Sequence, residues 1–470
     1  MSTLAFPGNT RSLLVVASMG VASLMALGLL TLSTAGDGKR DARRRQKKRR
    51  PKVHLRGLYN LGNTCFLNST LQALASLAAF TDYVDRSTAA AASDSEDAGV
   101  TVQLKHVLDQ LGPQPARVAA LSPRALIGSL SQKSRWLGSR SEQDAHELFQ
   151  LLSSTLQAAA AGRTGDGSLF DSGFLAATPP IANGIVSSPQ PAVDLENPLL
   201  GMAASRTACV RCGYTEAIRH STFDNLSLTV PRTPVATVEE CLAQYTAIDR
   251  LDDFKCRSCT IAATIAQTKR DIAACESAMA KERDGSARRA RRLGDTAARL
   301  REQLGELEAA LASNPEAELR GIRLASPAPG VSTRQTMIAR PPRILVLHLS
   351  RSIYLPTGGT AKNPAHVQLQ PLLDVSPFAT TGHISTSASA PISGAAHAGE
   401  KARRRNCLFR LSAVVVHSGA HDSGHFCAYR CVRTGDAEQW FLVSDIRAVP
   451  VPLEAVLDAG NGYLLFYERI

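Results

Sequence analysis

GLYNLGNTCFLNS, residues 57 to 69, places a cysteine in an informative setting. Glycine and asparagine residues, which allow tight backbone conformations, precede Cys65. Apolar residues with the spacing of one helix face follow it: Leu67, Leu71 and Leu74. The segment predicts that Cys65 lies at or near a helix N-terminus, where the dipole stabilises a reactive thiolate. Asn60 offers an amide that could bind a developing oxyanion. A buried structural cysteine is the alternative, and Cys65 alone would favour it.

A histidine-containing segment near the other end of the chain favours a catalytic role for Cys65 over a structural one. Residues 414 to 430 read VVVHSGAHDSGHFCAYR. His425 opens an alternating apolar run, which predicts that it begins a strand beside a turn. His421 lies in the polar turn, and His417 ends the preceding apolar strand, either as a packing residue or as one that supports the catalytic groups. A metal site made of the three histidines is disfavoured because their spacing fits no common ligand pattern. Cys65 and His425 are therefore the predicted nucleophile and base.

A thiolate–imidazole pair normally has a third group that orients the ring. The candidates lie in WFLVSD, residues 440 to 445. Ser444 and Asp445 would face opposite sides of a strand, so only one of them is expected to reach His425 directly. Electrostatics favours Asp445, because a carboxylate stabilises an imidazolium better than a hydroxyl does.

Four of the ten cysteines form two C-x-x-C pairs, which sit in turns: Cys209 with Cys212, and Cys256 with Cys259. Four thiolates in two such knuckles fit a tetrahedral structural zinc site. Free cysteines or a redox pair are the alternatives. Paired motifs of this kind are typical of metal binding in a reducing compartment rather than of a disulfide framework.

The amino-terminal part predicts a membrane anchor. Residues 12–35 carry no charge and are long enough to cross a bilayer, after a short segment at 1–11. The linker at 36–54 contains KRDARRRQKKRRPK, residues 39 to 52, with ten basic residues and one Asp. This run supplies +9 of the formal charge of +12, so a basic tail rather than a basic domain explains the charge, and nothing requires a nucleic-acid-binding fold. Positive charge after the apolar run disfavours a cleaved signal peptide and keeps the following sequence in the cytosol. A buried soluble helix is the other alternative.

Residues 55–470 are predicted to form one catalytic domain. Helical patterns come first and strands follow, which indicates an α+β fold. Residues 262–320 carry a heptad seam, which predicts either a helical hairpin turning near residues 284 to 286 or one amphipathic helix. The seam is Leu293, Ala297, Leu300, Leu304, Leu307 and Leu311.

Taken together, these boxes resemble the ubiquitin-specific protease family of deubiquitinases. The resemblance rests on GLYNLGNTCFLNS, on GHFCAYR with its upstream VVVHSG, on EQDAHELF (142 to 149), on PPRILVLHLSR and on GYLLFYER. It covers residues 57 to 470 and implies a papain-like thumb and palm with zinc-ribbon fingers, at about 200–262 and 320–340, around the helical insertion. It implies hydrolysis of the isopeptide bond after the C-terminal glycine of ubiquitin.

Carried over residue by residue, the resemblance makes Cys65 the nucleophile, His425 the base and Asn60 the oxyanion donor. It implies that Asp144, with Gln143 nearby, binds the basic C-terminal tail of ubiquitin. It places a structural zinc at the fingertips, with no catalytic cofactor. The predicted partners are ubiquitin, ubiquitinated proteins and the membrane, with a possible protein partner for the insertion and no nucleic acid.

One position departs from the family pattern. Most members have Asp or Asn four residues after the tryptophan, where this chain has Ser444. A member anchored in the mitochondrial outer membrane resembles this chain in having serine there, in its acidic motif and in its N-terminal anchor. The resemblance therefore favours Ser444 as third residue and that membrane as location, with Asp445 and the endoplasmic reticulum as alternatives. A catalytically weak ubiquitin-binding scaffold that acts through its insertion is the alternative function.

Overall fold

A computed structural model describes residues 53–89, 96–134, 143–161, 196–281, 287–326, 329–381, 384–393, 407–421, 423–435 and 437–470. The chain divides into two units, Met1–Pro51 and Lys52–Ile470. The predicted anchor at 12–35 and its flanks up to residue 52 lie outside the described residues. Within the described ranges, no helix is both long and apolar enough to cross a membrane.

Nine α-helices lie in the described ranges: α1 (Cys65–Leu74), α2 (Ala78–Ala89), α3 (Glu96–Gln110), α4 (Arg124–Lys133), α5 (Ala145–Ala161), α6 (Val238–Tyr245), α7 (Arg257–Lys281), α8 (Ala287–Ser313) and α9 (Leu453–Leu457). Helices α1 to α5 pack together on one side of the molecule. Every residue of α1 is buried, including its polar ones, so this helix is the centre of the helical layer.

Sixteen strands are described: β1 (Gly201–Cys209), β2 (Arg219–Phe223), β3 (Leu226–Thr229), β4 (Val235–Thr237), β5 (Asp249–Phe254), β6 (Gly330–Arg340), β7 (Ile344–Ser350), β8 (Ser352–Tyr354), β9 (Thr360–Lys362), β10 (His366–Gln368), β11 (Leu372–Asp374), β12 (Leu408–Gly419), β13 (Gly424–Thr434), β14 (Ala437–Ser444), β15 (Arg447–Val451) and β16 (Gly462–Arg469).

The main sheet has the order β15-β14-β13-β12-β16-β7-β3, and β11 pairs with β12. All of its pairs are antiparallel except β3 with β7. Its central strands bury both faces, because one face packs against the helical layer and the other against a second core. In β7, Ile344 and Val346 face the helices while Leu345 and Leu347 face the second core. The α+β fold predicted from the sequence is therefore confirmed.

A second sheet has four strands in the order β2-β1-β6-β5 and carries the cysteine pairs at one end. Helices α7 and α8 follow β5 and pack against each other, so residues 257 to 313 contain two helices rather than one. The predicted seam lies in their interface, where Ala297 and Leu307 are buried and the other seam residues are half-buried. Salt bridges join the two helices, Lys269 to Glu308 at 2.7 Å and Arg301 to Glu276 at 2.5 Å.

Candidate active site

Helix α1 begins at Cys65, as the sequence predicted. The loop before it is organised by Asn60, whose Oδ1 accepts hydrogen bonds from the backbone N–H groups of Gly62 (3.2 Å) and Thr64 (3.0 Å). Gly62 has a φ of +103° and Asn63 a φ of +55°, so the chain turns sharply just before the helix. Cys65 is only 4% exposed, and its helix places it where backbone N–H groups and the dipole favour a thiolate.

His425 is the second residue of β13, and α1 packs against this strand. Its Nε2 lies 2.9 Å from Ser444 Oγ, at the end of the neighbouring strand β14. Because Nε2 faces the Ser444 hydroxyl, Nδ1 is the ring nitrogen that is left for a thiol. The preceding Gly424 is required by packing, because a Cβ there would lie 2.2 Å from Ser418 O. The strand is thus held close to its neighbour at the histidine.

Asp445 lies just beyond β14 and has a φ of +48°. This left-handed turn ends the strand alternation, so the Asp445 carboxylate is not on the opposite face from Ser444. Its Oδ2 lies 3.9 Å from His425 Nε2, beyond hydrogen-bonding distance. Asn60 Nδ2 donates to Asp445 Oδ2 (3.2 Å), and Asn68 Nδ2 donates to Oδ1 (2.7 Å). The carboxylate therefore joins the cysteine loop to α1 beside the histidine, while Ser444 lies at hydrogen-bonding distance from the ring.

Gln143 and Asp144 lie at the start of α5, and they line a cavity of about 210 Å³. Asp144 Oδ1 accepts a hydrogen bond from the backbone N–H of His146 (2.6 Å), which caps the helix. Tyr463 donates its hydroxyl to both carboxylate oxygens, at 2.7 and 2.6 Å. Burial and the nearby Asp144 carboxylate raise the pKa of Tyr463, so its hydroxyl remains a donor. Asp144 is therefore fixed by two partners on the cavity wall.

The lining of this cavity also includes Lys362, His417 and Phe426, the residue after His425. Lys362 Nζ donates to the backbone oxygens of His417 (2.8 Å) and Gly419 (3.1 Å) and lies 3.0 Å from His417 Nδ1. Burial and the Lys362 ammonium lower the pKa of His417 to about 4, so this histidine is neutral near pH 7. His417 also stacks on Phe426 with ring centroids 4.4 Å apart, in agreement with its predicted packing role.

The two C-x-x-C pairs come together at the end of the four-stranded sheet. Sγ of Cys209 lies 3.9 Å from Sγ of Cys259, and Sγ of Cys212 lies 3.6 Å from Sγ of Cys256. Four sulfurs at Zn–S bonds of 2.3 Å in a tetrahedron would be about 3.8 Å apart, so the arrangement fits one tetrahedral ion. Burial raises the pKa of the Cys259 thiol to about 11, a cost that a bound cation removes. In the described ranges no other group of side chains, the three histidines included, could hold a metal.

Comparison with known proteins decides the family. The sequence profile described as "Ubiquitin carboxyl-terminal hydrolase" matches residues 56–467. The chain belongs to the ubiquitin carboxyl-terminal hydrolase family. It is accordingly a cysteine peptidase, as the sequence boxes predicted.

Members of this hydrolase family that are similar along most of the chain come from several organisms. The human protein "Ubiquitin carboxyl-terminal hydrolase 30" is 27% identical over 498 residues, covering 90% of this chain and 86% of the relative. Its Xenopus tropicalis namesake is 27% identical over 474 residues, covering 88% of this chain and 81% of the relative. The Arabidopsis thaliana protein "Ubiquitin carboxyl-terminal hydrolase 27" is 26% identical over 449 residues, covering 88% of this chain and 85% of the relative.

A solved structure supports the fold of this hydrolase. The SAGA Ubp8/Sgf11/Sus1/Sgf73 DUB module bound to ubiquitin aldehyde contains a chain that superposes with a TM-score of 0.56 at 17% identity. The match covers 88% of this chain and 69% of that one. At this identity the similarity establishes the α+β fold alone.

Three residues of the hydrolase site were missed at the sequence level: Asn68, Lys362 and Tyr463. Asn68 carried a usable signal, because a polar amide inside an otherwise apolar, buried helix needs a partner. Lys362 and Tyr463 carried none, because each reaches the cavity from a segment far away in sequence.

Proposed function

We propose that the protein is a membrane-anchored, thiol-dependent deubiquitinase that hydrolyses the isopeptide bond after the C-terminal glycine of ubiquitin. The observation that carries this proposal is the 2.9 Å contact between His425 Nε2 and Ser444 Oγ, on a strand packed against the helix that Cys65 begins. It leaves Nδ1 of the ring to accept the thiol proton. Family membership supplies the reaction class.

In the proposed reaction, the Cys65 thiolate attacks the carbonyl carbon of the ubiquitin C-terminal glycine. His425 then gives its proton to the leaving lysine amine, and a thioester forms. Water, activated by His425, hydrolyses the thioester and restores the thiol. Ser444 orients the imidazole ring through its hydroxyl. Asp445 is the alternative third residue and acts on the ring through its charge.

Asn60 is the proposed oxyanion donor. Its Oδ1 is used to order the loop, and one hydrogen of Nδ2 goes to Asp445. The amide nitrogen carries a second hydrogen, which supports donation to an oxyanion beside Cys65. Asp445 thus fixes the direction of the amide as well as approaching the histidine ring.

Gln143 and Asp144 are proposed to bind the basic C-terminal tail of ubiquitin in the 210 Å³ cavity. The cavity reaches Phe426, directly beside His425, so a tail seated there would point its end toward the catalytic pair. Asp144 already accepts from Tyr463 and His146, but a carboxylate offers about four acceptor positions, which leaves capacity for an arginine of the tail. Tyr463 holds the carboxylate in place for this contact.

The finer architecture is also a proposal. The helical layer α1 to α5 corresponds to a thumb, the main sheet to a palm, and the four-stranded sheet to fingers in a papain-like arrangement. Cys209, Cys212, Cys256 and Cys259 would hold a structural zinc that fixes the ends of β1 and α7, and the zinc does no chemistry. The backbone N–H of Cys259, 3.5 Å from Cys256 Sγ, supports a thiolate at that position.

The proposed location is the mitochondrial outer membrane, with the catalytic domain in the cytosol and the endoplasmic reticulum as alternative. It rests on the uncharged run at 12–35, the basic flank at 39 to 52 and the serine at 444. Residues 1 to 52 fused to a fluorescent protein should direct it to that membrane. A diffuse cytosolic or nuclear signal would refute the anchor.

The mechanism is tested with Cys65→Ala and a ubiquitin C-terminal fluorogenic reporter. We expect turnover to be abolished, with Cys275→Ala, a half-buried cysteine of the α7–α8 hairpin, as the matched control that keeps it. Unchanged turnover by Cys65→Ala would sink the assignment. A ubiquitin probe with a thiol-reactive C-terminus should modify Cys65 alone. If deletion of residues 262–320 abolished the protein's function in cells but left ubiquitin cleavage intact, this result would favour the alternative of a scaffold that acts through its insertion.

A further inference from the structure

A second cavity, of about 540 Å³, lies at the opposite end of α1 from Cys65. Its wall is formed by the end of α1, the start of α2, and the strands β12, β13 and β16. This volume lies within the roughly 300 to 1,000 Å³ that is usual for small-molecule sites. The cavity is separate from the one lined by Gln143 and Asp144, with which it shares no residue.

Five arginines line this cavity: Arg343, Arg410, Arg430, Arg433 and Arg469. Two of them have carboxylate partners. Glu438 binds Arg410 (3.1 Å) and Arg433 (2.9 Å), and Glu468 binds Arg433 (2.9 Å). Within the described part of the chain, the other three have no salt bridge. The exposed Asp82 is the remaining acidic side chain of the lining, so positive charge is in excess.

Arg430 is the most unusual of the three because it is 1% exposed. Its guanidinium donates to Gln72 Oε1 (2.9 Å), Leu111 O (2.8 Å) and Ala75 O (2.8 Å), and its Nε has no hydrogen-bond partner among the described residues. All of these acceptors are neutral. Burial lowers the pKa of Arg430 to about 10, which still leaves it charged near pH 7. Capping the end of α1 explains these hydrogen bonds, but it does not neutralise the buried charge.

Arg343 and Arg469 add two further positive charges to the lining. They lie next to each other, since the backbone N–H of Arg469 donates to Arg343 O at 2.9 Å. Burial lowers the pKa of Arg469, and the like charges of Arg343 and Arg340 lower it further, while the Glu196 carboxylate opposes this shift. Capping of α1 gives no reason for this pair, because neither residue contacts α1 through a hydrogen bond among the described residues.

The start of α2 completes the lining. Ala78 and Ala79 are its first two residues, and the first N–H groups of a helix have no partner within the helix. Such a terminus attracts anions, and phosphate in particular. Arginine forks bind phosphate oxygens bidentately. A helix N-terminus and clustered guanidinium groups therefore face the same space.

We propose that this cavity is a binding site for a compact anion with several phosphate groups, held by Arg343 and Arg469 at the start of α2 above the buried Arg430. The anion supplies direct ionic partners to three arginines that form no salt bridge with a described side chain. Arg430 binds the C-terminal end of α1, the helix that Cys65 begins. An anion in this site therefore stabilises α1 at the end opposite Cys65.

The test uses the full chain and inorganic tripolyphosphate in isothermal titration calorimetry at fixed salt. We expect saturable binding that Arg343→Gln/Arg469→Gln weakens by at least about tenfold, since two charge-assisted contacts are lost. The control is Arg291→Gln/Arg292→Gln, which removes the same charge from exposed positions of α8 and should keep the affinity. Absence of saturable binding, or equal weakening in both pairs, would overturn the site.

A second variant covers the case in which the arginine pair does not fold. Thr81→Asp leaves every arginine intact and puts a negative charge on the cavity wall near the start of α2, where it suits the helix dipole. It should also weaken tripolyphosphate binding by about tenfold, and wild-type affinity in this variant would overturn the proposal. Vesicles of phosphatidylcholine with and without phosphatidylinositol bisphosphate show whether the bound anion is a lipid headgroup or a soluble molecule. Binding to the phosphorylated vesicles that tripolyphosphate displaces assigns a lipid headgroup, and tripolyphosphate binding alone assigns a soluble anion.

Discussion

The two candidates for the third catalytic position can be separated by their distances to His425. Ser444 Oγ lies at hydrogen-bonding distance, 2.9 Å from Nε2, whereas the Asp445 carboxylate lies at 3.9 Å. A hydrogen bond to a group that becomes charged contributes about 1.5–3 kcal/mol. Ser444→Ala should therefore lower kcat/KM for a ubiquitin C-terminal reporter by about 10- to 150-fold.

Asp445→Asn removes the charge and keeps one oxygen for the 2.7 Å hydrogen bond from Asn68, but its NH2 group cannot accept the longer, 3.2 Å hydrogen bond from Asn60. The His425 side chain is 42% exposed, so solvent screens its attraction to the carboxylate. A screened pair of this kind is worth up to about 1 kcal/mol, or about fivefold in kcat/KM. Ser418→Ala is the matched control, because Ser418 faces His425 across β12 and β13 without bonding its ring. A larger loss in Asp445→Asn than in Ser444→Ala would refute the reasoning.

Three other properties can be measured directly. Zinc analysis of the purified chain should find one ion per chain, and Cys212→Ser should lose it, whereas retention of the full zinc content would contradict the four-thiolate site. Tyr463→Phe frees the Asp144 carboxylate and should raise KM for a ubiquitin reporter about tenfold with kcat nearly unchanged, while a fall in kcat alone would argue for a catalytic role. The free energy of unfolding should decrease as pH falls from 6.5 to about 4, because the unfolded chain binds protons at His348 and His417 that the folded chain, with a pKa of about 4 for His417, does not. In denaturant titrations His417→Asn should flatten this dependence, and an unchanged slope would contradict it.

The sequence predicted the elements that depend on local pattern. The helix that starts at Cys65, the strand that starts at His425, and the apolar strand around Val346 all follow from periodicity within a few residues. The heptad positions of α8 were read correctly for the same reason, because 3.5-residue spacing identifies a packed face whether or not its partner is known.

The parts of the site that depend on where a strand ends, or on contacts between distant segments, were not predictable from the sequence. The expectation that Asp445 faces away from Ser444 assumed a continuing strand, but β14 ends at Ser444 and the next residue adopts a left-handed conformation. Where a strand ends is set by its pairing with β15, which no local pattern reveals. Tyr463 joins Asp144 across 319 residues of sequence, so its role appears only once the fold is known.

The hairpin of α7 and α8 has a consequence for how this enzyme can diverge. Cys259 lies in the first turn of α7, and Arg257 donates to the backbone oxygens of Pro315 (3.1 Å) and Ala317 (3.1 Å), so both ends of the hairpin are fixed at the cysteine cluster. Away from the cysteine cluster, the two helices stabilise each other through the apolar seam between them. Insertion of one heptad into each helix would lengthen the hairpin by about 10 Å and leave its attachment at the cysteine cluster unchanged. Evolution can therefore change the length of this hairpin by whole heptads, without any compensating change around Cys65 or His425.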